Sequence, residues 1–195
     1  MTLFKNKYRI ESNRLQGYDY TKDGAYFITI CVRYHQHRFG TIKNGKLIPT
    51  PEGEIAQQCW LEMFEHFENA KMDEFIIMPN HMHGIIFIDD PEQIAAKHRR
   101  SQQQAREHEE CFLLPPHGGI TGDSNAMLTK HCIGKMVRWY KAKCTFKIRN
   151  ELEKPFEWLG NYYDHIVRNQ QDFERIQHYI ISNPTKWEAD KFYTT

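Results

Sequence analysis

The chain has 195 residues, with 26 Lys and Arg against 25 Asp and Glu, 40% hydrophobic residues and 13% aromatic residues. This composition predicts one soluble domain with a hydrophobic core and excludes wholesale disorder. The longest apolar runs fall far short of the roughly 18 residues that a membrane span needs. The N-terminus has no apolar signal segment and the cysteines form no Cys-x-x-Cys pair. We therefore expect a cytoplasmic protein with reduced thiols.

The apolar pattern predicts alternating strands and helices with one long interruption. Before the interruption, the predicted elements are a strand over residues 26–33, a hairpin at Asn44–Gly45, an amphipathic helix after Pro51, and strands over residues 74–78 and 83–89. The interruption is a variable, mobile connection at about residues 91–126. After it, the predicted elements are a basic helix between Leu128 and Ile148, a strand within residues 156–167 and a last helix over residues 172–181. No internal repeat is visible, so residues 1–195 are predicted to form one domain.

This order of elements contains a β-α-β-β-α-β core. The simplest architecture that uses such a core is an α+β sandwich of the ferredoxin-like or RRM-like kind. We expect one antiparallel sheet with helices packed on one face, plus a C-terminal helix.

The net charge of +1 conceals two opposed blocks. Residues 52–74 contain seven acids and one Lys, whereas residues 130–150 contain seven basic residues and no acid. Phosphate binding depends on the charges that reach the nucleic-acid backbone, so a local block matters more than the average. The basic block is either a phosphate-binding surface or a solvated helix face.

Two histidines with one residue between them, His81 and His83, begin an apolar strand. Alternate side chains of an extended chain face the same way, so both imidazoles project together and form a candidate metal pair. His35 and His37 have the same spacing but lie in a polar stretch, where exposed side chains are expected. No His-Glu-x-x-His helix or cysteine pair accompanies the site, which argues against zinc proteolysis and structural zinc.

A metal pair of this kind can polarise a phosphodiester while a tyrosine hydroxyl attacks it. Tyr140 is the candidate nucleophile because it lies on the basic helix beside Lys141. The alternative is an ordinary core tyrosine between Val137 and Cys144, and the residues alone leave both interpretations open.

Four groups of residues carry a resemblance. In chain order they are Gly-Tyr-Asp-Tyr at 17–20, Gly-Ala-Tyr-Phe-Ile-Thr-Ile-Cys at 24–31, Phe-Ile-Ile-Met-Pro-Asn-His-Met-His-Gly-Ile-Ile at 75–86, and Asn-Tyr-Tyr-Asp-His-Ile-Val-Arg-Asn at 161–169 with Tyr-Ile-Ile-Ser-Asn-Pro-Thr-Lys-Trp at 179–187. Together they closely resemble the REP-associated tyrosine transposases, single-tyrosine transposases of the HUH nuclease superfamily. The resemblance runs from about residue 8 to residue 190, apart from the connection.

The resemblance implies that His81 and His83 hold Mg²⁺ or Mn²⁺. It also implies that Tyr140 attacks a phosphodiester in single-stranded DNA, leaving a 5′-phosphotyrosine link and a free 3′-hydroxyl. Such a link conserves bond energy, so rejoining needs no nucleotide cofactor. Substrates of the family are repetitive extragenic palindromes, short bacterial DNA hairpins with a flanking single-stranded tetranucleotide.

One position departs from the family pattern. Related enzymes commonly have Gln or Asn one turn after the tyrosine, where this chain has Cys144, and a thiol is a poor ligand for a hard ion. A third ligand is therefore expected from elsewhere, with Asp164 and His165 as candidates, or metal occupancy depends on bound DNA. Tyr162 and Tyr163 are interpreted as core or DNA-contacting residues.

Phosphate clamping and base stacking are predicted for a set of basic and aromatic residues. The set is Arg138, Trp139, Lys141, Lys143, Lys147, Arg149, Arg33 and Arg168. A basic arm is predicted from Lys5, Lys7, Arg9 and Arg14. The acidic helix is expected to face away from DNA, while the acid-free stretch carries Tyr140 toward it.

Three functions remain open from the sequence. The first is a metal-dependent, tyrosine-using DNA nickase or strand transferase, and the second is a catalytically inactive hairpin-binding protein of the same fold. The third is a small-molecule metalloenzyme with a closed pocket. No heptad or long apolar edge distinguishes a monomer from a homodimer.

Overall fold

The computed structural model describes residue 20, residues 22–89 and residues 132–194. The predicted connection at about residues 91–126 and the predicted basic arm near the N-terminus lie outside the described residues.

Six strands and three α-helices are described. The strands are β1 (Gly24–Cys31), β2 (Gly40–Lys43), β3 (Lys46–Pro49), β4 (Ala70–Ile77), β5 (His81–Ile88) and β6 (Tyr163–Val167). The helices are α1 (Pro51–His66), α2 (Ile133–Glu151) and α3 (Gln170–Ser182), and a 3-10 segment (Asn183–Ala189) follows α3. None of the described helices is both long and apolar enough to cross a membrane.

Four strands form one antiparallel sheet in the order β4-β5-β1-β6. The central strands β1 and β5 are in register so that Thr29 lies opposite His83 and Cys31 lies opposite His81. This topology confirms the predicted ferredoxin-like α+β fold.

Helices α1 and α2 cover the first face of the sheet. Alternation along β1 directs Tyr26, Ile28 and Ile30 to this face, where they join the main hydrophobic core. Trp60 of α1 lies directly over Gly84 of β5, so that a Cβ added there would be 2.4 Å from the indole ring. Close packing of α1 on the sheet therefore requires glycine at this position.

Helix α3 and the C-terminal segment cover the second face. Ile176 and Ile180 of α3 pack against Ala25 and Ile85 of the sheet. The predicted C-terminal helix is thus confirmed, and it lies on the opposite side of the sheet from α1 and α2. His81 and His83 belong to this second face, because they alternate with Met82, which joins the main core.

The acidic and basic blocks lie side by side on the first face. Glu62 of α1 is 2.7 Å from the Lys147 ammonium and 3.8 Å from that of Lys143, both on α2. The acidic helix therefore lies beside the basic helix and not on the opposite side of the sheet. Part of the basic charge of α2 is neutralised by α1.

Two local predictions have different outcomes. The Asn44–Gly45 turn is confirmed: both residues have positive φ, 51° and 70°, as a tight two-residue hairpin turn requires. The strand predicted within residues 156–167 is shorter, because only Tyr163–Val167 pairs continuously and Trp158 makes a single bridge to Val32.

Candidate active site

The histidine pair lies at the start of β5 with its side chains on the second face of the sheet. The Nε2 atoms of His81 and His83 are 2.9 Å apart, and both residues are almost completely buried. Burial lowers the pKa of His81 to about 4 and the pKa of His83 well below its ordinary value. Both imidazoles are therefore neutral near pH 7, which is the state that binds metals.

The other ring nitrogen of each histidine is held by a neighbouring polar side chain. Nδ1 of His83 is 2.7 Å from the Thr29 hydroxyl, and Nδ1 of His81 is 2.8 Å from Oδ1 of Asn80. Asn80 is itself fixed, because its amide donates to the carbonyls of His35 and Phe192. These contacts orient both rings and leave the two Nε2 atoms as the available ligands.

Asp190 completes a group of three potential ligands. Among the described residues, His81, His83 and Asp190 form the one group of this kind, with ligand atoms within 4.8 Å of one another. The carboxylate accepts hydrogen bonds from the Phe192 amide at 2.7 Å and from Nδ2 of Asn183 at 3.0 Å. The C-terminal segment, not β6, thus supplies the acid.

The two predicted candidates for a third ligand on β6 are not in this group. His165 instead lies 2.7 Å from a carboxylate oxygen of Asp172. Asp164 alternates with His165 along β6 and therefore faces the opposite side of the sheet. Among the described residues, the acid that lies beside His81 and His83 is therefore Asp190, and neither Asp164 nor His165 belongs to this group.

The donor atoms fit a divalent cation. Two ligands about 2.1 Å from a metal on perpendicular axes lie about 3.0 Å apart, close to the 2.9 Å between the two Nε2 atoms. Imidazole nitrogen suits transition metals, whereas Mg²⁺ prefers an all-oxygen environment. Two nitrogens and one carboxylate therefore fit a divalent metal.

Tyr179 of α3 is the tyrosine beside this group. Its hydroxyl lies 3.2 Å from Nε2 of His83 and donates to Oδ2 of Asp190 at 3.1 Å. Burial of the hydroxyl and the nearby Asp190 carboxylate raise the pKa of Tyr179. The residue as a whole remains 39% exposed, so the ring borders both the ligands and solvent.

Sequence reasoning missed Tyr179, although a signal was present. Asn183 follows Tyr179 by four residues, which places a polar side chain one turn after the tyrosine. The sequence predicts a helix over residues 172–181 and includes residues 179–187 in the resemblance, but it assigns no role to Tyr179. The structure confirms the helix and shows that a 3-10 segment after it returns Asp190 to the tyrosine.

Tyr140 lies on the other side of the sheet. It is fully buried under α1, its ring packs against Trp60 at 5.5 Å, and its hydroxyl donates to the Ala56 carbonyl at 3.2 Å. Cys144 is buried in the same helix interface. Because the sheet separates Tyr140 from His81 and His83, this geometry does not fit the expected attack by Tyr140.

Most of the predicted DNA-binding residues also surround the first face. Trp139 stacks on His66 with ring centres 4.9 Å apart, and Arg149 donates to the Phe156 carbonyl at 2.8 Å. Arg33 is paired with Glu157. These side chains therefore already have partners within the protein.

The lysines of α2 are similarly engaged. Lys141 donates to the carbonyls of Leu159 and Asn161 at 2.6 and 3.0 Å, and burial lowers its pKa to about 8. Lys143 and Lys147 face Glu62, as described above. Arg138 is exposed, and it lies on α2, which covers the face of the sheet opposite the histidine pair.

Arg168 is the predicted DNA-binding residue that lies near the histidine face. A cavity of about 230 Å³ beside Tyr179 is lined by Phe27, Phe192 and Lys191, among others. Arg175 borders both this cavity and a neighbouring one of about 480 Å³, which Arg168 also lines. His83 and Tyr179 therefore border a cleft with aromatic walls and basic side chains.

An ion-paired cluster forms one wall of the cleft. Hydrogen bonds from Arg175 at 2.6 Å and from His165 at 2.7 Å lower the pKa of Asp172 to about 2. The Asp172 amide also donates to the side chain of Asn169, the N-cap of α3. This cluster anchors the start of the helix that carries Tyr179.

Comparison with known proteins identifies both a relative and structures with a similar fold. No family model matches the chain. An uncharacterized protein of Haemophilus influenzae is 37% identical over 182 residues, which cover 93% of this chain and 92% of the relative. The structure of a REP-associated tyrosine transposase bound to a REP hairpin aligns with a TM-score of 0.54 and 15% identity, covering 91% of this chain and 76% of the other. A candidate transposase from Deinococcus radiodurans aligns with a TM-score of 0.44 and 11% identity over 86% of this chain and 95% of its own, too low to support an argument.

Proposed function

Since the chain belongs to the same family as the uncharacterized Haemophilus influenzae protein and has the fold of a REP-associated tyrosine transposase, we propose that it nicks and rejoins single-stranded DNA. The observation that carries this proposal is the position of Tyr179. Its hydroxyl contacts both His83 and Asp190 and borders a basic cleft. A nucleophile, a ligand group and a phosphate-binding surface thus lie together.

The reaction follows from these contacts. The Tyr179 oxygen forms a bond to phosphorus, and the bond from phosphorus to the 3′-oxygen breaks. The tyrosine proton passes to solvent water, the Asp190 carboxylate orients the hydroxyl through the hydrogen bond that it accepts, and the 3′-oxygen leaves with a proton from solvent. The products are a 5′-phosphotyrosine link and a free 3′-hydroxyl, and the reverse attack rejoins the strand without a nucleotide cofactor.

His81, His83 and Asp190 would hold the divalent metal. Such an ion, when bound, withdraws negative charge from a phosphate oxygen. Thr29 and Asn80 keep the two imidazoles in the ligand orientation, and Asn183 and the Phe192 amide position the carboxylate. We expect Mn²⁺ to support the reaction better than Mg²⁺.

A DNA hairpin with an unpaired flank is the proposed substrate. Support comes from the hairpin in the similar transposase structure and from the resemblance of the motifs. The cavity beside Tyr179 is narrow and walled by Phe27 and Phe192, which suits an unpaired base rather than a duplex. The alternative of an inactive hairpin-binding protein depended on Cys144, which lies outside this site.

The test uses oligonucleotides labelled at one end. A 5′-phosphotyrosine link joins the protein to the 3′ fragment, so a 3′ label should migrate with the protein on a denaturing gel while a 5′ label should not. The adduct should require Mn²⁺ or Mg²⁺, disappear with a chelator and be lost in His81→Ala. Hairpin binding without any adduct under these conditions would establish the inactive alternative.

A further inference from the structure

Lys191 is a cation beside the ligand group, and the proposed reaction gives it no role. It follows Asp190 directly in the chain, and it lines the cavity of about 230 Å³ that His83 and Tyr179 also line. The lysine, the proposed nucleophile and one of the ligands therefore border the same space. A DNA strand that reacts with Tyr179 has to enter this space.

A tight turn and two aromatic rings hold Lys191 in place. The Tyr193 amide donates to the Asp190 carbonyl at 3.0 Å, and the Phe192 amide donates to the Asp190 carboxylate at 2.7 Å. The Lys191 ammonium lies 4.9 Å from the ring centre of Tyr163 and 4.8 Å from that of Phe192. Aromatic faces attract and orient a cation without neutralising its charge.

No acid balances the charge of Lys191. Within the described part of the chain it forms no ion pair, and the neighbouring Asp190 carboxylate accepts a hydrogen bond from Tyr179 instead. Arg175 also lines the cavity, but its guanidinium is 2.6 Å from the Asp172 carboxylate. Of these two cations, Lys191 is therefore the one whose charge is uncompensated.

The positive charge of Lys191 reaches the ligand group. Burial is the main cause of the low pKa of His81 and His83, and the Lys191 ammonium lowers both pKa values further. A charge that disfavours protonation of the imidazoles also repels a metal cation at the same place. Metal binding therefore does not account for this lysine.

A phosphodiester that reacts beside Tyr179 does account for it. Two neutral imidazoles, one carboxylate and a divalent ion together carry one net positive charge, which balances the single charge of an intact phosphodiester. Attack by Tyr179, whose proton passes to solvent, brings a second negative charge onto the phosphoryl group. A second cation is then needed, and Lys191 borders the cavity where this charge develops.

We propose that the Lys191 ammonium binds a non-bridging oxygen of the phosphate that Tyr179 attacks. This proposal rests on the proposed function, because it assumes that a phosphodiester of single-stranded DNA enters the cleft. Lysine binds phosphate as a point charge, and a cation that is already in position stabilises the developing charge without rearrangement. Lys191 thus contributes to binding of the strand and contributes more during the attack.

The experiment compares three variants of the full chain. Lys191→Gln removes the charge, Lys191→Arg keeps it, and Lys186→Gln removes a charge from an exposed lysine five residues earlier that does not line the cavity. Binding is measured by fluorescence anisotropy with a DNA hairpin bearing four unpaired flanking nucleotides. A chelator is present, and the salt concentration is varied between about 50 and 200 mM.

Lys191→Gln should bind this hairpin more weakly and with a smaller salt dependence. Loss of one contact to a single strand lowers the slope of log K against log salt by about 0.7. If the two curves meet near 1 M salt, the dissociation constant at 0.1 M rises about 5-fold. Lys191→Arg and Lys186→Gln should keep the wild-type slope.

Neutral methylphosphonate linkages, introduced one at a time in the flank, locate the contact. The linkage at which the adduct forms should weaken binding by the wild type, whereas it should not weaken binding by Lys191→Gln further. At saturating DNA with Mn²⁺, the rate of adduct formation should fall about 100-fold in Lys191→Gln and recover in Lys191→Arg.

Mn²⁺ affinity in the absence of DNA separates this role from a structural one. Calorimetry should give an equal or higher affinity for Lys191→Gln, because a repelling charge is removed. If the lysine served only to hold the C-terminal turn, its loss would displace Asp190 and lower the affinity instead. The melting temperature should fall by no more than about 4 °C, since an exposed cation–π contact is weak.

A wild-type salt slope or a wild-type rate in Lys191→Gln would overturn the proposal. An equal loss in Lys186→Gln, a lower Mn²⁺ affinity of Lys191→Gln, or a wild-type protein that does not bind the hairpin would also overturn it. Failure of the proposed function has a different signature. In that case the wild type forms no adduct, although one neutral linkage still weakens its binding and leaves that of Lys191→Gln unchanged.

Discussion

Tyr179→Phe and Tyr140→Phe remove the same atom from two tyrosines on opposite faces of the sheet. The Tyr179 ring packs against His83 at 5.1 Å and Phe27 at 6.1 Å, and phenylalanine keeps both contacts. The lost hydrogen bonds lie at the edge of a cleft, where water can replace them. We therefore expect Tyr179→Phe to keep its melting temperature within about 2 °C and to lose the covalent adduct completely.

Tyr140→Phe should have the opposite effect. Its hydroxyl donates a buried hydrogen bond to the Ala56 carbonyl, and a neutral bond of this kind contributes about 0.5–1.5 kcal/mol. The carbonyl lies within α1 and retains its intrahelical partner, so the loss should be about 1 kcal/mol. For a chain of this size, that loss lowers the melting temperature by about 2–4 °C.

The assay is transfer of a 3′-labelled oligonucleotide to the protein at 25 °C with Mn²⁺, followed by a denaturing gel. Thermal unfolding is measured on the same preparations, which separates lost chemistry from lost folding. An adduct that persists in Tyr179→Phe, or one that disappears in a folded Tyr140→Phe, would refute the geometric argument for Tyr179.

Three further changes probe the site and its supports. Thr29→Val removes the partner of His83 Nδ1, so Mn²⁺ affinity measured by calorimetry should fall about 10- to 100-fold, and an unchanged affinity would contradict the orienting role. Gly84→Ala places a Cβ 2.4 Å from Trp60, so overpacking should cost about 1–3 kcal/mol in chemical denaturation, whereas a neutral result would mean that Trp60 moves freely. The folded pKa of Asp172, about 2, lies below its ordinary value of about 3.9, so its stabilisation is present above about pH 4 and is lost as the pH falls through 2. Because its partners are largely exposed, we expect this stabilisation to be about 1 kcal/mol and to be absent in Asp172→Asn. Unfolding free energies of the two proteins that stay parallel from pH 2 to pH 6 would contradict this expectation.

The fold was predictable because its signals are local. Period-two and helical patterns, the Asn44–Gly45 turn and the order of elements lead to the β-α-β-β-α-β sandwich. Alternation also correctly placed His81 and His83 on one face, away from Met82. Each of these inferences needs only neighbouring residues.

The proposed nucleophile, Tyr179, was not predictable in the same way. Helical periodicity correctly indicated that Tyr140 points into the protein, but it does not say which face of the sheet a helix covers. In the folded protein, α1 and α2 both cover the face of the sheet opposite His81 and His83. Asp190 was missed for a related reason, since its approach depends on a 3-10 turn after Pro184 rather than on any periodic pattern.

The contribution of the C-terminal segment also sets the order in which the site can arise. A ribosome makes His81 and His83 long before Asp190, which completes the ligand group, and Phe192, whose amide holds Asp190. A nascent chain therefore contains both imidazoles without the acid, and a product that stops before Asn183 has Tyr179 with no carboxylate to accept its hydrogen bond. Under the proposed function, strand cutting becomes possible only after residues 183–192 have been made and folded back, so copies that stop before them cannot damage DNA by this route.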